Sequence, residues 1–202
     1  MAQTSKEAAV PSLRSTALPM WWMYSDGVTT LREAINFANG LIGEDSIVFD
    51  SSLFASAQTI TLSFGQLSIT DSLNINALVD PLTGADLLTI SANNTSRVFE
   101  IGAGATVSLS GLIIADGKVT NDNGGGIYNS GTLTLDNSIV RNNTATNSSN
   151  NAYGGGIYNT GTLTVNNSTI SGNNLSSIGK TSGSGISNGG GTIEVSYSNP
   201  SC

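Results

Sequence analysis

Short runs in which apolar and polar residues alternate dominate the chain from residue 45 onward. Gly, Asn, Ser and Asp residues separate these runs. Alternation with a period of two is typical of β-strands that bury one face. The pattern therefore predicts a series of short strands, at residues 46–49, 59–62, 66–69, 72–75, 87–90, 97–101 and 105–114.

One segment has a helical period instead. The apolar residues of 31–38 recur at i, i+3, i+4 and i+7, which places them on one helix face. Thr30 and Glu33 match a capping box, and Asn39-Gly40 is a typical C-terminal stop. The pattern predicts a short amphipathic helix over residues 30–39. Because a stack of strands leaves an apolar end open, we expect this helix to cover that end rather than to be an ordinary surface helix.

A repeat of 30 residues begins at residue 124. Residues 124–143 read GGGIYNSGTLTLDNSIVRNN, residues 154–173 read GGGIYNTGTLTVNNSTISGN, and a degraded third copy begins at Gly183. Such periods indicate solenoids or propellers, and a propeller blade needs about 40 residues with four longer strands. We therefore predict an all-β fold, a right-handed single-stranded parallel β-helix of about five rungs with a short N-terminal capping helix.

In such a stack every interior position has its own copy as neighbour, about 4.8 Å away. We expect Ile127 to stack on Ile157 and Ile186. The other predicted ladders are Leu133–Leu163–Ile193, Leu135–Val165–Val195, and Ile139 with Ile170 or its neighbour.

Glycines and asparagines mark the predicted bends. Gly131 and Gly161 are expected to adopt a positive φ. The asparagines that precede bends are Asn129, Asn159, Asn137 and Asn167. Asparagine tolerates the left-handed conformation, and stacked Asn side chains can hydrogen-bond along the helix axis.

These patterns divide the chain into four parts: a poorly ordered leader at 1–25, an N-terminal cap at 26–58, β-helix rungs at 59–198, and a frayed, uncapped terminus at 199–202. An uncovered strand edge pairs readily with other chains. We therefore expect a tendency to associate end to end.

Composition excludes several classes of protein. Only 10% of residues are charged and the net charge is −7, which argues against nucleic acid as a partner. No apolar run approaches the ~18 residues of a membrane-spanning helix, so no transmembrane segment is predicted. The chain has no histidine and one cysteine, Cys202, so neither an intramolecular disulfide nor a His/Cys metal site is expected.

The best candidates for catalysis are Asp116, Asp122 and Asp136, with Lys118 and Arg141 near them in sequence. β-Helix lyases and hydrolases need carboxylates clustered on one face. The oxygen-rich segment around Asp122 makes incidental calcium binding a weaker hypothesis. The alternative is that these acids are turn residues that keep the surface hydrated, and we assign neither a catalytic site nor a metal.

Tyr128 and Tyr158 occupy the same place in two rungs, opposite the interior isoleucines. They are predicted to form an exposed aromatic ladder that could bind sugars or a partner protein, or pack beneath loops. Residues 144–153 and 175–182 vary between the copies and are predicted to project as loops from one corner, where repeat proteins usually place binding variation.

Two motifs carry a family resemblance. Residues 27–39, GVTTLREAINFAN, followed by DSIVF, resemble the CSLREA-type N-terminal module of bacterial secreted repeat proteins, with Thr29-Thr30 in place of Cys-Ser. The GGGIYN rungs are similar to repeats of polymorphic outer-membrane protein and autotransporter passengers. Such proteins normally carry a secretion signal and a C-terminal anchor. Neither is visible here, so we expect a fragment of a larger exported protein, a truncated copy or a decayed gene.

The resemblance implies an extracellular or outer-membrane location. It also implies a non-enzymatic module, adhesive or structural, whose ligand is a surface glycan or protein. Since the same fold hosts polysaccharide lyases and hydrolases, a pectin-lyase-like carbohydrate-active enzyme is the alternative.

Overall fold

The computed structural model describes the backbone of residues 13–14 and all of residues 30–49, 56–79, 84 and 88–197. The predicted terminus at 199–202 and most of the predicted leader at 1–25 lie outside this part of the chain.

Short strands and one short helix make up the described part. Among these residues, no helix is long and apolar enough to cross a membrane. In chain order the elements are β1 (Leu13–Arg14), α1 (Leu31–Ala38), β2 (Asp45–Val48), β3 (Gln58–Thr61), β4 (Leu67–Ile69), β5 (Leu73–Asn76), β6 (Leu88–Ser91), β7 (Phe99–Ile101), β8 (Thr106–Ser110), β9 (Leu112–Ala115), β10 (Lys118–Thr120), β11 (Ile127–Asn129), β12 (Thr132–Asp136), β13 (Ile139–Arg141), β14 (Thr144–Asn147), β15 (Ala152–Tyr153), β16 (Ile157–Asn159), β17 (Thr162–Asn166), β18 (Thr169–Ser171), β19 (Asn174–Ser177), β20 (Thr181–Ser182), β21 (Ile186–Asn188) and β22 (Thr192–Ser196).

Three long parallel sheets form the walls of the molecule. Face A contains β2, β5, β8, β12, β17 and β22, with β1 added antiparallel to β2 at its first edge; face B contains β3, β6, β9, β13 and β18; face C contains β4, β7, β11, β16 and β21. The chain visits A, B and C in turn, so one circuit is a rung and β22 begins the circuit after the fifth. This confirms the predicted parallel β-helix of about five rungs.

The interior ladders have the predicted register. Ile127 pairs with Ile157, which pairs with Ile186. On face A the stacked pairs are Leu133–Leu163–Ile193 and Leu135–Val165–Val195. Most of these side chains are completely buried. The core is therefore a narrow cylinder of aliphatic residues stacked on their own kind.

Ile139 stacks on the neighbour of Ile170, as one of the two predicted pairings has it, but its predicted place in the interior was wrong. Ile139 pairs with Thr169 and is only half-buried, whereas its neighbour Val140 is buried and pairs with Ile170. The reason lies one residue earlier: Ser138 is already inside, 1% exposed, so a period of two puts Val140 in the core and Ile139 outside.

Buried asparagines stack along the axis as predicted. The Asn129 side-chain amide donates to Asn159 Oδ1 at 2.7 Å, and Asn159 donates in turn to Asn188 Oδ1 at 3.0 Å. Asn129 and Asn159 are both fully buried. Since a buried amide is costly unless its hydrogen bonds are made, this ladder opposes any slip of one rung against the next.

The prediction of a positive φ at Gly131 and Gly161 was wrong, since neither residue is among those with a positive φ. Close packing explains these glycines instead, because a Cβ on Gly161 would lie 2.0 Å from the backbone oxygen of Gly131. The left-handed residues of these rungs include Asn137 and Asn167, with φ of 45° and 46°. Asparagine is one of the few residues that tolerate this conformation.

Helix α1 covers the first rung, as predicted. Its capping box is formed: Glu33 N donates to Thr30 Oγ1 at 3.2 Å, and Thr30 N donates to Glu33 Oε2 at 2.8 Å. Arg32 donates to the carbonyl oxygens of Gly65 and Gln66 at 2.6 and 2.8 Å. The buried apolar face of the helix consists of Leu31, Ala34, Ile35 and Ala38. The helix thus supplies both apolar cover and hydrogen-bond donors to the first edge of the stack.

The opposite edge of the described stack is more exposed. Val165 is 3% exposed, whereas Val195, in the same interior ladder on β22, is 67% exposed. A charged residue also stands on this outermost strand. The outward column of face A reads Ser46, Asn74, Ser108, Thr134, Thr164 and Glu194, so its one acidic residue lies at this edge, and Arg14 of β1 is in register with Ser46 at the other end. A charge at an edge opposes pairing with another chain.

The buried amide ladder predicts a large stability effect. An Asn159→Ala change should lower the free energy of unfolding by about 3 kcal/mol, because it removes the hydrogen bonds that this fully buried amide makes to Asn129, Gly161, Asn188 and Thr192. Urea unfolding followed by circular dichroism measures this. Asn174→Ala, on an exposed strand position, is the matched control and should change little. Equal effects of the two changes would contradict the proposed role of the ladder.

Removal of the edge charge should strengthen self-association. We expect the 202-residue chain to associate at high concentration, and Glu194→Gln to lower the dissociation constant by up to roughly fivefold by relieving like-charge repulsion between edges. Sedimentation velocity over a concentration series measures this. Glu44→Gln removes the same charge at an exposed site away from β22 and serves as the control. Strictly monomeric sedimentation of both variants would count against an associating edge.

Candidate functional site

An extra ribbon of strands projects between faces B and C in the later rungs. It is named the flange and consists of β10, β14 and β19, which pair in parallel, together with β15 and β20. Residues 144–153 and 175–182, predicted to project as loops from one corner, do lie at one corner, but both contain strands that stack on each other. The variable stretches are therefore built on the same parallel pairing as the core.

A second asparagine ladder fixes the point where the chain leaves face B for the flange. Asn143 is fully buried; its Oδ1 accepts from Gly117 N at 2.7 Å, and its side-chain amide donates to Ile114 O at 3.1 Å. The same amide donates to Asn173 Oδ1 in the next rung at 3.0 Å. These bonds hold the base of the flange against the core in successive rungs.

A glycine turn returns the chain from the flange to face C. Gly154 has φ of +63°, and a Cβ there would lie 2.3 Å from the backbone oxygen of Ile157. Only glycine fits both demands. The turn folds Tyr153, at the end of the flange, back against Tyr158 on face C, with ring centroids 6.1 Å apart and planes at 26°.

Three tyrosines come together at this junction. Tyr128 and Tyr158 pair in register on face C, with centroids 5.4 Å apart at an interplanar angle of 54°. Together with Tyr153 they are named the tyrosine cluster. All three side chains are half-buried rather than fully exposed. The predicted ladder of Tyr128 and Tyr158 is thus present, but it leans against the flange instead of standing free.

A buried arginine connects the tyrosine cluster to earlier rungs. Arg97 is 5% exposed and its guanidinium lies 5.2 Å from the centroid of the Tyr128 ring. It forms an ion pair with Asp122 at 2.6 Å and donates to Gln66 Oε1 at 2.7 Å. It also donates to the carbonyl oxygens of Asn123 and Gly124. Arg97 therefore holds together parts of the first three rungs beneath the aromatic rings.

The three candidate catalytic acids lie at three different corners of the coil. Asp116 follows β9 and accepts from the Ser91 hydroxyl at 2.9 Å. Asp122 lies between the flange and face C, paired with Arg97, and Asp136 ends β12 on face A, where it accepts from Asn137 at 2.8 Å. Among the described residues, no group of three or more His, Cys, Asp or Glu side chains could hold a metal ion.

A concavity lies on the outside of face B. This groove has a volume of about 330 Å³ and is lined by Gly84, Ile113, Asn137, Ser138, Ile139, Asn167 and Thr169. Its lining consists of neutral side chains, two of them isoleucines that project outward from face B. The tyrosine cluster combines aromatic rings with charged and amide neighbours, which makes it the stronger candidate for a binding site.

No protein-family model, curated protein or solved structure matches this chain. The chemistry of the site is therefore argued from its own residues.

Tyr153 and Arg97 were missed as site residues from the sequence alone. Tyr153 has no tyrosine counterpart in the neighbouring copy, since its partner in the next rung is Ser182. One sequence signal was available, because Tyr153 directly precedes the repeated Gly-Gly-Gly, on the side of the turn that faces Tyr158. Arg97 could have been noticed as a basic residue at the start of an apolar strand in a chain with only seven basic residues.

The crowded phenols predict a dependence of stability on pH. Burial, and then the neighbouring Tyr128 and Tyr153, raise the pKa of Tyr158 above its ordinary value of 10.0. The unfolded chain therefore loses this proton first, so stability is fully present below about pH 10 and falls as the pH rises through the folded pKa. Urea unfolding at increasing alkaline pH measures this. The free energy of unfolding of Tyr158→Phe should fall less steeply with pH than that of wild type. Tyr197→Phe changes an exposed tyrosine, and its free energy of unfolding should fall as steeply as that of wild type. Identical slopes for all three proteins would contradict the prediction.

Proposed function

We propose that this chain is a non-enzymatic β-helix module of a cell-surface or secreted protein, adhesive or structural in role, and part of a larger exported protein. One observation carries the proposal. Residues that repeat between rungs are those that stack in the interior, while residues that differ between rungs lie on the outward sides of the strands. On face C the interior column stays apolar through Phe99, Ile127, Ile157 and Ile186, whereas the outward column changes from Glu100 through two tyrosines to Ser187.

The resemblance of the capping helix and rungs to CSLREA-type and passenger repeats supports an exported location. The stacked architecture suits that setting physically, because the strands of a rung pair with those of the rungs above and below. A surface of short polar side chains with few charges also suits contact with hydrated polymers at a cell surface.

A polysaccharide lyase or hydrolase is the alternative. Such an enzyme would need carboxylates and a base converging on one face. The placement of Asp116, Asp122 and Asp136 at separate corners favours the non-enzymatic reading, since each is hydrogen-bonded to a neighbouring side chain. Calcium is kept as a variable in the assay because such lyases depend on it.

The assay that separates the two functions measures turnover and binding on the same polymers. The 202-residue chain is incubated with polygalacturonate and neutral polysaccharides, with and without calcium, and reducing ends and unsaturated products are followed. We expect no turnover, together with retention of the chain on one or more immobilised surface glycans or glycoproteins. Turnover that is abolished by Asp136→Ala, but retained in the exposed-site control Glu44→Gln, would establish the enzymatic alternative.

A further inference from the structure

We propose that the tyrosine cluster is a binding site for a neutral glycan chain. The inference rests on the proposed function, in that it names the ligand class of an adhesive module. It concerns Tyr128, Tyr153 and Tyr158, which are three of the five tyrosines in the chain.

The arrangement of the rings is the first argument. Rings from two successive rungs and from the flange form a strip, with centroid separations of 5.4 Å and 6.1 Å. Each ring keeps part of its surface in solvent. Tyrosine offers an apolar ring and a polar hydroxyl together, at little cost in conformational entropy, which suits the apolar C–H faces and hydroxyl edges of a sugar.

The charges beside the strip exclude an acidic ligand. Glu100 is the register neighbour of Tyr128, and the carboxylate of Asp122 is 51% exposed. The neighbouring guanidinium of Arg97 is already bonded to Asp122 and to backbone oxygens. With a net charge of −7 over the chain, polyuronates and nucleic acids would be repelled. Among glycans, the site therefore favours neutral ones.

Neutral hydrogen-bonding groups surround the rings. The Asn151 side-chain amide donates to the Tyr153 hydroxyl at 2.8 Å. The half-buried Asn123 lies on the other side of Tyr153, where its Oδ1 accepts from Tyr153 N at 3.0 Å. Amides and hydroxyls beside an aromatic floor are the usual composition of a site that orients a polyhydroxylated ligand.

A purely structural role for the rings, in packing the flange against face C, would place them in the same positions. The chain itself offers the variants that separate the two roles. In the next rung Tyr153 pairs with Ser182 and Tyr158 pairs with Ser187, and the parallel register continues. Serine is therefore a residue that these positions accept without loss of the rung.

Affinity electrophoresis in gels that contain hydroxyethyl cellulose, galactomannan, dextran or polygalacturonate tests the proposal. At least one neutral polymer should retard the wild-type chain, and polygalacturonate should retard it less. The double variant Tyr153→Ser with Tyr158→Ser should bind at least about tenfold more weakly. Tyr197→Ser is the matched control, since Tyr197 is 79% exposed and lies outside the cluster, and it should bind like wild type.

The proposal is overturned if no neutral polymer retards the wild-type chain, if polygalacturonate is preferred, or if the double variant binds as tightly as wild type. Should the double variant fail to fold, nitration of the wild-type chain with tetranitromethane decides the question. The retarding polymer should protect the three cluster tyrosines but not Tyr197, and equal nitration with and without polymer overturns the site.

Failure of this inference is distinguishable from failure of the proposed function. An absence of both turnover and tyrosine-dependent binding removes the glycan site but leaves a structural module or a protein adhesin. Turnover of the same polymers removes the non-enzymatic module, whatever the tyrosine variants do.

Discussion

The stacking of each rung on a copy of itself is the constraint on which the rest of this structure depends. Parallel pairing at a spacing of about 4.8 Å gives every side chain an equivalent neighbour above and below. An interior position must therefore accept its own kind, which Ile127, Ile157 and Ile186 do. The same demand admits a polar group inside only where stacked copies satisfy each other, as the amides of Asn129 and Asn159 do.

Stacking also creates two edges, and the chain treats them differently. At the first rung, helix α1 supplies apolar cover, and Arg32 donates to carbonyl oxygens that a further strand would otherwise have bonded. Asn39 does the same at the other end of the helix, donating to Ser68 O and accepting from Thr70 N. At β22 the described edge has no such cover, and Glu194 places a charge where earlier rungs carry threonine or serine. A helix satisfies the hydrogen-bonding groups of an edge strand, whereas a charge only disfavours the pairing of that strand with another chain.

Sequence reasoning succeeded where the determining interaction is local or repeats with the rung. The capping box depends on residues three apart, and the isoleucine ladder recurs at the period of the repeat. It failed where the phase of alternation changes inside a rung, because buried Ser138 moves Val140 rather than Ile139 into the core. It also failed for Gly161, whose constraint is the Gly131 oxygen of the previous rung. Arg97 acts across rungs, and Tyr153 meets Tyr158 around a turn whose next copy has serine in its place, so no sequence period encodes either contact.

The same division between repeated and unrepeated positions bears on function. Residue types inside the stack vary little, because each substitution must suit the neighbours above and below at once. Folding alone therefore explains these residues. The outward column of face C escapes that demand and reads Ser68, Glu100, Tyr128, Tyr158 and Ser187. The aromatic residues in this column occur where the flange brings Tyr153 alongside. Serine occupies both equivalent positions in the next rung, where the parallel register continues, so the repeat itself does not demand tyrosine at Tyr153 and Tyr158.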